Sequence, residues 1–233
     1  MRKLILFLIL LFLILDFSIA KEKENFLKLE YTFTHLGIPV GKLIVNMENL
    51  KADNYRIVVY TKAIGVFNLF KKSDYKIETY IEGNKPVKFH KQKKVGKKIT
   101  DEFIYFYYPQ NVAIWKYTNK PVKKIVFKEN TQDLLSIFYY FKNIKLDTKN
   151  DFCFEILYNG VIWKVNGKVI GDESIYFRGK KINVLKIKFT SDLIKYIIRE
   201  KDITIYFDKE NCIPVLFLID FKKLKFRGFI KNI

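Results

Sequence analysis

Apolar and polar residues alternate with period two along most of the chain, and the runs are closed by glycine, proline or asparagine. That alternation predicts strands over Phe26–Phe33, Lys42–Met47, Tyr55–Lys62, Asp74–Ile81, Val87–Lys94, Ile99–Tyr108, Val112–Tyr117 and Val122–Phe127. After a break it resumes over Phe152–Tyr158, Val161–Val165, Lys168–Phe177, Lys181–Phe189, Ile203–Phe207, Val215–Phe221 and Leu224–Ile230. Asn159-Gly160 is the strongest hairpin signal, because both residues accept the positive φ of a type I′ turn. Turns are also expected at Asn166-Gly167 and Arg178-Gly179. Asp192–Glu200 fits helical spacing, with Ser191 as its one cap, but stays ambiguous. Ala63–Phe70 is too apolar for an open loop and is read as a turn tucked on the core, with a ligand mouth as the other reading.

One stretch breaks the pattern. From Asn130 to Phe141 the apolar residues Leu134, Ile137, Phe138 and Phe141 recur at three- and four-residue steps, which predicts an amphipathic helix. Asn130 or Thr131 would be its N-cap, and Asp133 would add negative charge in the first turn. Ile99–Tyr108 is apolar on both faces and therefore expected to be covered on both. The fold class predicted is mainly β: a large curved antiparallel sheet or partly open barrel with one helix packed on its concave face. A ligand between strand and helix would meet Phe103, Tyr105, Leu134, Phe138 and Phe141.

The N-terminus changes the domain picture. Arg2 and Lys3, the apolar run Leu4–Leu15 and the small residues Ser18 and Ala20 have the form of a secretory signal peptide, with cleavage expected after Ala20. About twelve apolar residues fall short of the roughly 20 that a membrane-spanning helix needs. Residues 21–233 are then expected to form a single β-rich domain in the periplasm, with no linker dividing it. The two cysteines, Cys153 and Cys212, would meet an oxidising compartment, where a disulfide between them and two buried thiols in separate strands both fit.

The formal charge of +19 invites an anionic partner. Nearly all of it is lysine, with arginine only at Arg2, Arg56, Arg178, Arg199 and Arg227, so the bidentate reader of bases is scarce. Export and this composition argue against nucleic acid; lysines solvated on outward strand faces, in a sequence rich in Lys, Ile, Asn, Phe and Tyr, are the plain reading of the charge. Peripheral contact with an anionic membrane surface is the functional one.

Recognisable catalytic chemistry is sparse. Two histidines, His35 and His90, and two cysteines make a zinc site hard to assemble, and no P-loop, GxGxxG, HExxH or GxSxG is present. No metal or other cofactor is implied. Asp101-Glu102 and Asp172-Glu173 are adjacent pairs whose members point to opposite faces of a strand, so neither is an acid/base dyad by itself.

Four segments together resemble the exported bacterial proteins of the domain-of-unknown-function family 3108. They are Tyr31 with Gly37-Ile38-Pro39-Val40-Gly41, Thr61 through Gly65 to Asp74, Thr131-Gln132-Asp133-Leu134-Leu135-Ser136 with Tyr139-Tyr140, and Asp208-Lys209-Glu210-Asn211-Cys212-Ile213-Pro214-Val215. The chain departs from that pattern in Lys142, where an arginine is expected, and in Cys212. The resemblance implies an envelope protein with a single-domain architecture and carries over no activity. The function expected is a non-enzymatic periplasmic protein binding an apolar or amphipathic envelope molecule, a lipid or lipid-linked glycan. A structural or assembly factor with a basic surface is the alternative, and a glycan-acting enzyme the third. The sequence leaves the oligomeric state open.

Overall fold

The computed structural model describes residues 26–51, 53–64, 73–137, 139, 151–177, 179–198, 202–210, 214–221 and 224–230. The expected signal peptide, residues 1–20, and most of the apolar stretch after Ala63 lie outside them. The strands of the first half are β1 Phe26–His35, β2 Ile38–Lys51, β3 Asn54–Ala63, β4 Ser73–Glu82, β5 Lys85–Val95, β6 Lys98–Tyr107, β7 Val112–Tyr117 and β8 Lys123–Val126. Those of the second half are β9 Thr131–Gln132, β10 Phe152–Tyr158, β11 Val161–Phe177, β12 Lys180–Thr190, β13 Asp202–Asp208, β14 Pro214–Phe221 and β15 Leu224–Ile230.

All fifteen join one sheet in the order β8-β7-β6-β5-β4-β3-β2-β1-β15-β14-β13-β12-β11-β10-β9. Every pairing is antiparallel except β9 with β10. The chain winds outward from β1 to one edge, crosses to the other, and winds back to meet β1 at β15.

That crossing dictates the shape. Laid flat, fifteen strands would put the two edges about 67 Å apart at the usual strand spacing. Yet β8 ends at Val126 and β9 begins at Thr131, a connection that reaches at most about 18 Å when fully extended. The sheet must therefore be rolled up. It remains open, because β8 and β9 do not pair.

Rolling gives every strand an inside and an outside. Leu29, Tyr31 and Phe33 of β1, Ile57 and Val59 of β3, Ile104 and Phe106 of β6, and Ile203, Ile205 and Phe207 of β13 alternate as buried residues with more exposed neighbours and belong to one apolar core. Among the large side chains fully buried there are Tyr31, Tyr75, Tyr158, Phe33, Phe89, Phe154 and Phe189.

Several elements depart from the sequence reading. Val161–Val165 and Lys168–Phe177 are one strand, β11, which runs straight through Asn166-Gly167; the irregularity falls instead between Val169 and Gly171. β2 starts at Ile38 and takes in Pro39 and Gly41, with a register shift opposite Thr34 absorbing the proline. The helix expected from Asn130 begins later: Thr131–Gln132 is strand β9, and helical backbone is found at residues 136, 137 and 139. The extended pairing of Thr131 and Gln132 with β10 displaces the first predicted turn. The ambiguous stretch is helix α1, Asp192–Ile198, capped as its sequence indicates by Ser191 Oγ accepting from the Leu193 N–H at 3.1 Å. Asn159 and Gly160 both take positive φ, as the hairpin signal requires.

Gly228 lets β15 lie against β1. It pairs with Phe33 in register, and a Cβ built on it would meet the Phe33 ring at 2.3 Å. Gly228→Ala is expected to lower stability by about 1–3 kcal/mol in urea titration through overpacking. Combining it with Phe33→Leu should cost less than the two changes added separately. Additive costs would show that the ring is not what meets the new methyl.

Candidate functional site

The inward alternation of β5 places a lysine among apolar side chains. Phe89 is fully buried, and Lys91, two residues on, points the same way and is only 5% exposed. Its ammonium forms an ion pair with the fully buried Glu102 of β6, directly opposite in register. It also donates to Tyr158 Oη at 3.2 Å and to Asn159 Oδ1 at 3.0 Å, at the far end of the sheet order. Trp115 Nε1 of β7 donates to Glu102 Oε1 at 2.9 Å. Burial alone would pull the Lys91 ammonium down, but the Glu102 carboxylate and the Tyr158 hydroxyl outweigh it and hold the group charged. Trp115 in turn lies under Gly160, where a Cβ would approach the indole to 2.9 Å. These contacts tie β5, β6 and β7 to the β10–β11 hairpin across the interior, between strands that share no ladder.

A second interior centre is Asp133. Its Oδ1 accepts from the Leu135 N–H at 2.6 Å and the Ser136 N–H at 2.9 Å, while Ser136 Oγ accepts from the Asp133 N–H at 2.9 Å. This reciprocal arrangement makes Asp133 the N-cap, in place of the expected Asn130 or Thr131. Oδ2 accepts from Thr79 Oγ1 of β4. Burial pushes the carboxyl up to about 6, against the pull of its hydrogen bonds from Thr79, Ser136 and Leu135. Thr131 is held by its Oγ1, which donates to Glu155 Oε2 at 3.2 Å and accepts from the Lys128 N–H at 3.1 Å.

The structure does not gather the residues expected to line a ligand site. Leu134 is buried in the core with Ile104 and Phe106. Phe103 and Tyr105 alternate with those two residues and so lie on the other, outward face of β6. There Phe103 stacks on His90 at 4.2 Å and 6° and lies beside Tyr105 at 6.3 Å, with the Lys116 ammonium over the Tyr105 ring at 5.5 Å. His90 Nε2 contacts Asp101 Oδ1 at 2.8 Å, so Asp101 and Glu102 serve opposite faces as adjacent strand residues must. Phe138 and Phe141 lie outside the described residues. Cys153 is an exposed, unbridged thiol on β10, and Cys212 lies outside the described residues. Among the described residues no group of three or more His, Cys, Asp or Glu side chains is placed to hold a metal ion, and no helix is long and apolar enough to cross a membrane.

The outer face carries an open depression of about 410 Å3 across β2, β3, β4 and β5. One row of register partners, Ile44, Tyr60, Lys76 and Gln92, crosses it. Beside that row Lys42 faces Lys62 directly across the β2–β3 ladder, and Asp74 faces Lys94 across β4–β5. Lys76 shares Glu78 at 3.4 Å, whereas Lys42, Lys62 and Lys94 have no ion-pair partner among the described residues. Like charges directly opposite one another on a sheet repel. Sequence reasoning missed both this group and Lys91. The signal available was strand parity: Lys91 shares a face with Phe89, and Lys42 and Lys62 each fall on the face opposite the apolar residues of their strands.

A family model described as "Protein of unknown function (DUF3108)" matches residues 29–224. No curated protein matches. Among solved structures, the chain is similar to the beta-barrel-like protein of domain of unknown function DUF1849 from Brucella abortus. The identity is 9% and the TM-score 0.59, with 88% of this chain and 95% of that chain covered. At that identity the likeness concerns the fold alone, and it agrees with a rolled but open sheet.

Lys91→Met leaves the Glu102 carboxylate buried without its counter-ion and is expected to cost about 3–5 kcal/mol in urea titration. Adding Glu102→Leu should recover most of the loss, and no recovery would mean that packing rather than charge was removed. For Asp133, a folded pKa of about 6 against an ordinary 3.8 means that the folded state binds the extra proton in that interval. Stability contributed by the protonated form is thus present at low pH and lost as pH rises to 6 and beyond. Relative to Asp133→Asn, the wild type should lose about 2 kcal/mol between pH 4 and pH 7. An unchanged difference would place the carboxyl in its ordinary range.

Proposed function

We propose that this chain, which belongs to the DUF3108 family, is a non-enzymatic binding protein of the bacterial envelope, exported by its N-terminal signal peptide, that takes an amphipathic anionic molecule on its outer face. The observation that carries this reading is the β2–β5 depression. Ile44 and Tyr60 supply an apolar floor, and lysines stand around it. Lysine stems cover apolar surface while their ammonium heads stay in water, so such a depression offers an acyl or prenyl chain a dry contact and an acidic head group its counter-charge.

The inside of the sheet supports the outer seat by being occupied. Large aromatic side chains such as Tyr31, Tyr158, Phe89, Phe189 and Phe217 are fully buried there, and the segment after Asp133 contributes Leu134, Leu135, Ile137 and Tyr139 to the same core. In this reading that segment fills the concave side, and the ligand is not enclosed between it and β6. The charged groups inside bind one another: Lys91 is matched by Glu102, and Asp133 is consumed in capping and in holding Thr79.

Native mass spectrometry of the protein purified gently from its own envelope, followed by organic extraction, tests the proposal. An adduct whose extracted component is an acidic lipid or lipid-linked glycan is expected, and it should be lost in Tyr60→Ser combined with Lys62→Gln. An apo mass that takes up no anionic amphiphile on challenge would overturn it.

A further inference from the structure

The depression gathers lysines that have no ion-pair partner among the described residues on one face of the sheet. Elsewhere several surface lysines pair with acids: Lys28 with Glu30 at 3.1 Å, Lys188 with Asp202 at 2.8 Å, Lys128 with Glu155 at 2.7 Å. Lys42 and Lys62 do the opposite. They are direct cross-strand partners on the same face, both exposed, and neither is in an ion pair among the described residues, although Asp74 lines the same depression. Directly opposed residues of an antiparallel pair keep their Cβ atoms about 5 Å apart, so two ammonium heads can converge on one anion between them. The repulsion that this pairing costs the free protein is relieved most by an anion with more than one charge.

Resting on the binding reading above, we infer that the head group seated here is a phosphate monoester, bridged by Lys42 and Lys62, with its chain lying over Ile44 and Tyr60. A phosphate monoester carries close to two charges above its second pKa of about 6 and presents three acceptor oxygens, enough for both ammonium groups at once. Lysine binds phosphate as a point charge rather than as a fork, which suits a bridge between two strands. A carboxylate, a sulfate ester or a phosphodiester brings one charge and satisfies the pair by half. Lys94, whose register partner Asp74 already brings a negative charge, stands at the rim and completes the field.

Isothermal titration of the mature protein at low salt with hexyl phosphate, hexyl sulfate and inorganic phosphate, at pH 5 and pH 8, tests this. Hexyl phosphate and hexyl sulfate should bind alike at pH 5, where both carry one charge. At pH 8 hexyl phosphate should bind about tenfold more tightly. Lys42→Gln with Lys62→Gln should remove that tenfold advantage, whereas Lys124→Gln, on an edge strand of the same sheet, should leave it intact. Equal binding of the two alkyl anions at both pH values would overturn the phosphate assignment and leave amphiphile binding standing. Inorganic phosphate binding as tightly as hexyl phosphate would uphold the phosphate site, make free phosphate its source and overturn the amphiphile reading. Binding of none of the three would overturn both.

Discussion

Everything in this fold depends on the short connection between the two edges of its sheet. Four residues, 127–130, join the outermost strands of a fifteen-stranded ladder. Since a chain of that length cannot span a flat sheet, the connection forces the roll. The roll creates a single inside, and the inside sets the inward alternation of nearly every strand. Phe127 is buried at the start of the connection, and its N–H donates to the Asn111 carbonyl at 3.0 Å, so the link is anchored in the core rather than looped away from it.

Because β8 and β9 do not pair, the sheet lacks the continuous backbone ladder that stabilises a closed barrel. Side chains supply what the ladder does not. The Lys91 ammonium reaches Tyr158 and Asn159, Trp115 packs under Gly160, and Asp133 joins Thr79 to the helical turn that follows. A buried ion pair is weak evidence of net stability, since desolvation offsets much of its Coulomb gain. Its stronger effect here is on register. Lys91 finds its three partners only when β5, β6 and the β10–β11 hairpin are aligned as observed. A one-residue slip of β5 would turn the ammonium outward and bury Gln92 in its place.

Most of this architecture was legible in the alternation of residues. The strand runs from Tyr55, Asp74, Ile99, Ile203 and Leu224 fall where period two puts them, and Asn159-Gly160 turns as its dipeptide requires. What misled was local chemistry overruled by distant pairing. Asn166-Gly167 has the composition of a turn, but opposite it Phe152 lays its ring over Gly167, where a Cβ would stand only 2.2 Å from the ring, and the strand continues. Thr131 and Gln132 have the look of a first helical turn, yet their parallel pairing with Glu155 and Ile156 pulls them into extended backbone. The expected ligand residues are aromatic or apolar and lie on two elements. Parity divides them, since Phe103 and Tyr105 fall on one face of β6 and the core holding Leu134 on the other.

The placement of charge separates the part of this molecule that holds the fold from the part free to bind. An inward lysine in a rolled sheet must bring its counter-ion with it, because no solvent is available to screen it, and Lys91 does so through the residue directly opposite. An outward lysine is under no such demand, and water and salt can serve instead. The pairing of Lys42 with Lys62 is thus tolerated by the fold but unsupported by it. Nothing in the core, the roll or the register of β2 and β3 requires two cations at those opposed positions, and threonine at either would suit the ladder better. The proposed anion site draws on that opposed pair, two ammonium groups held on rigid neighbouring strands.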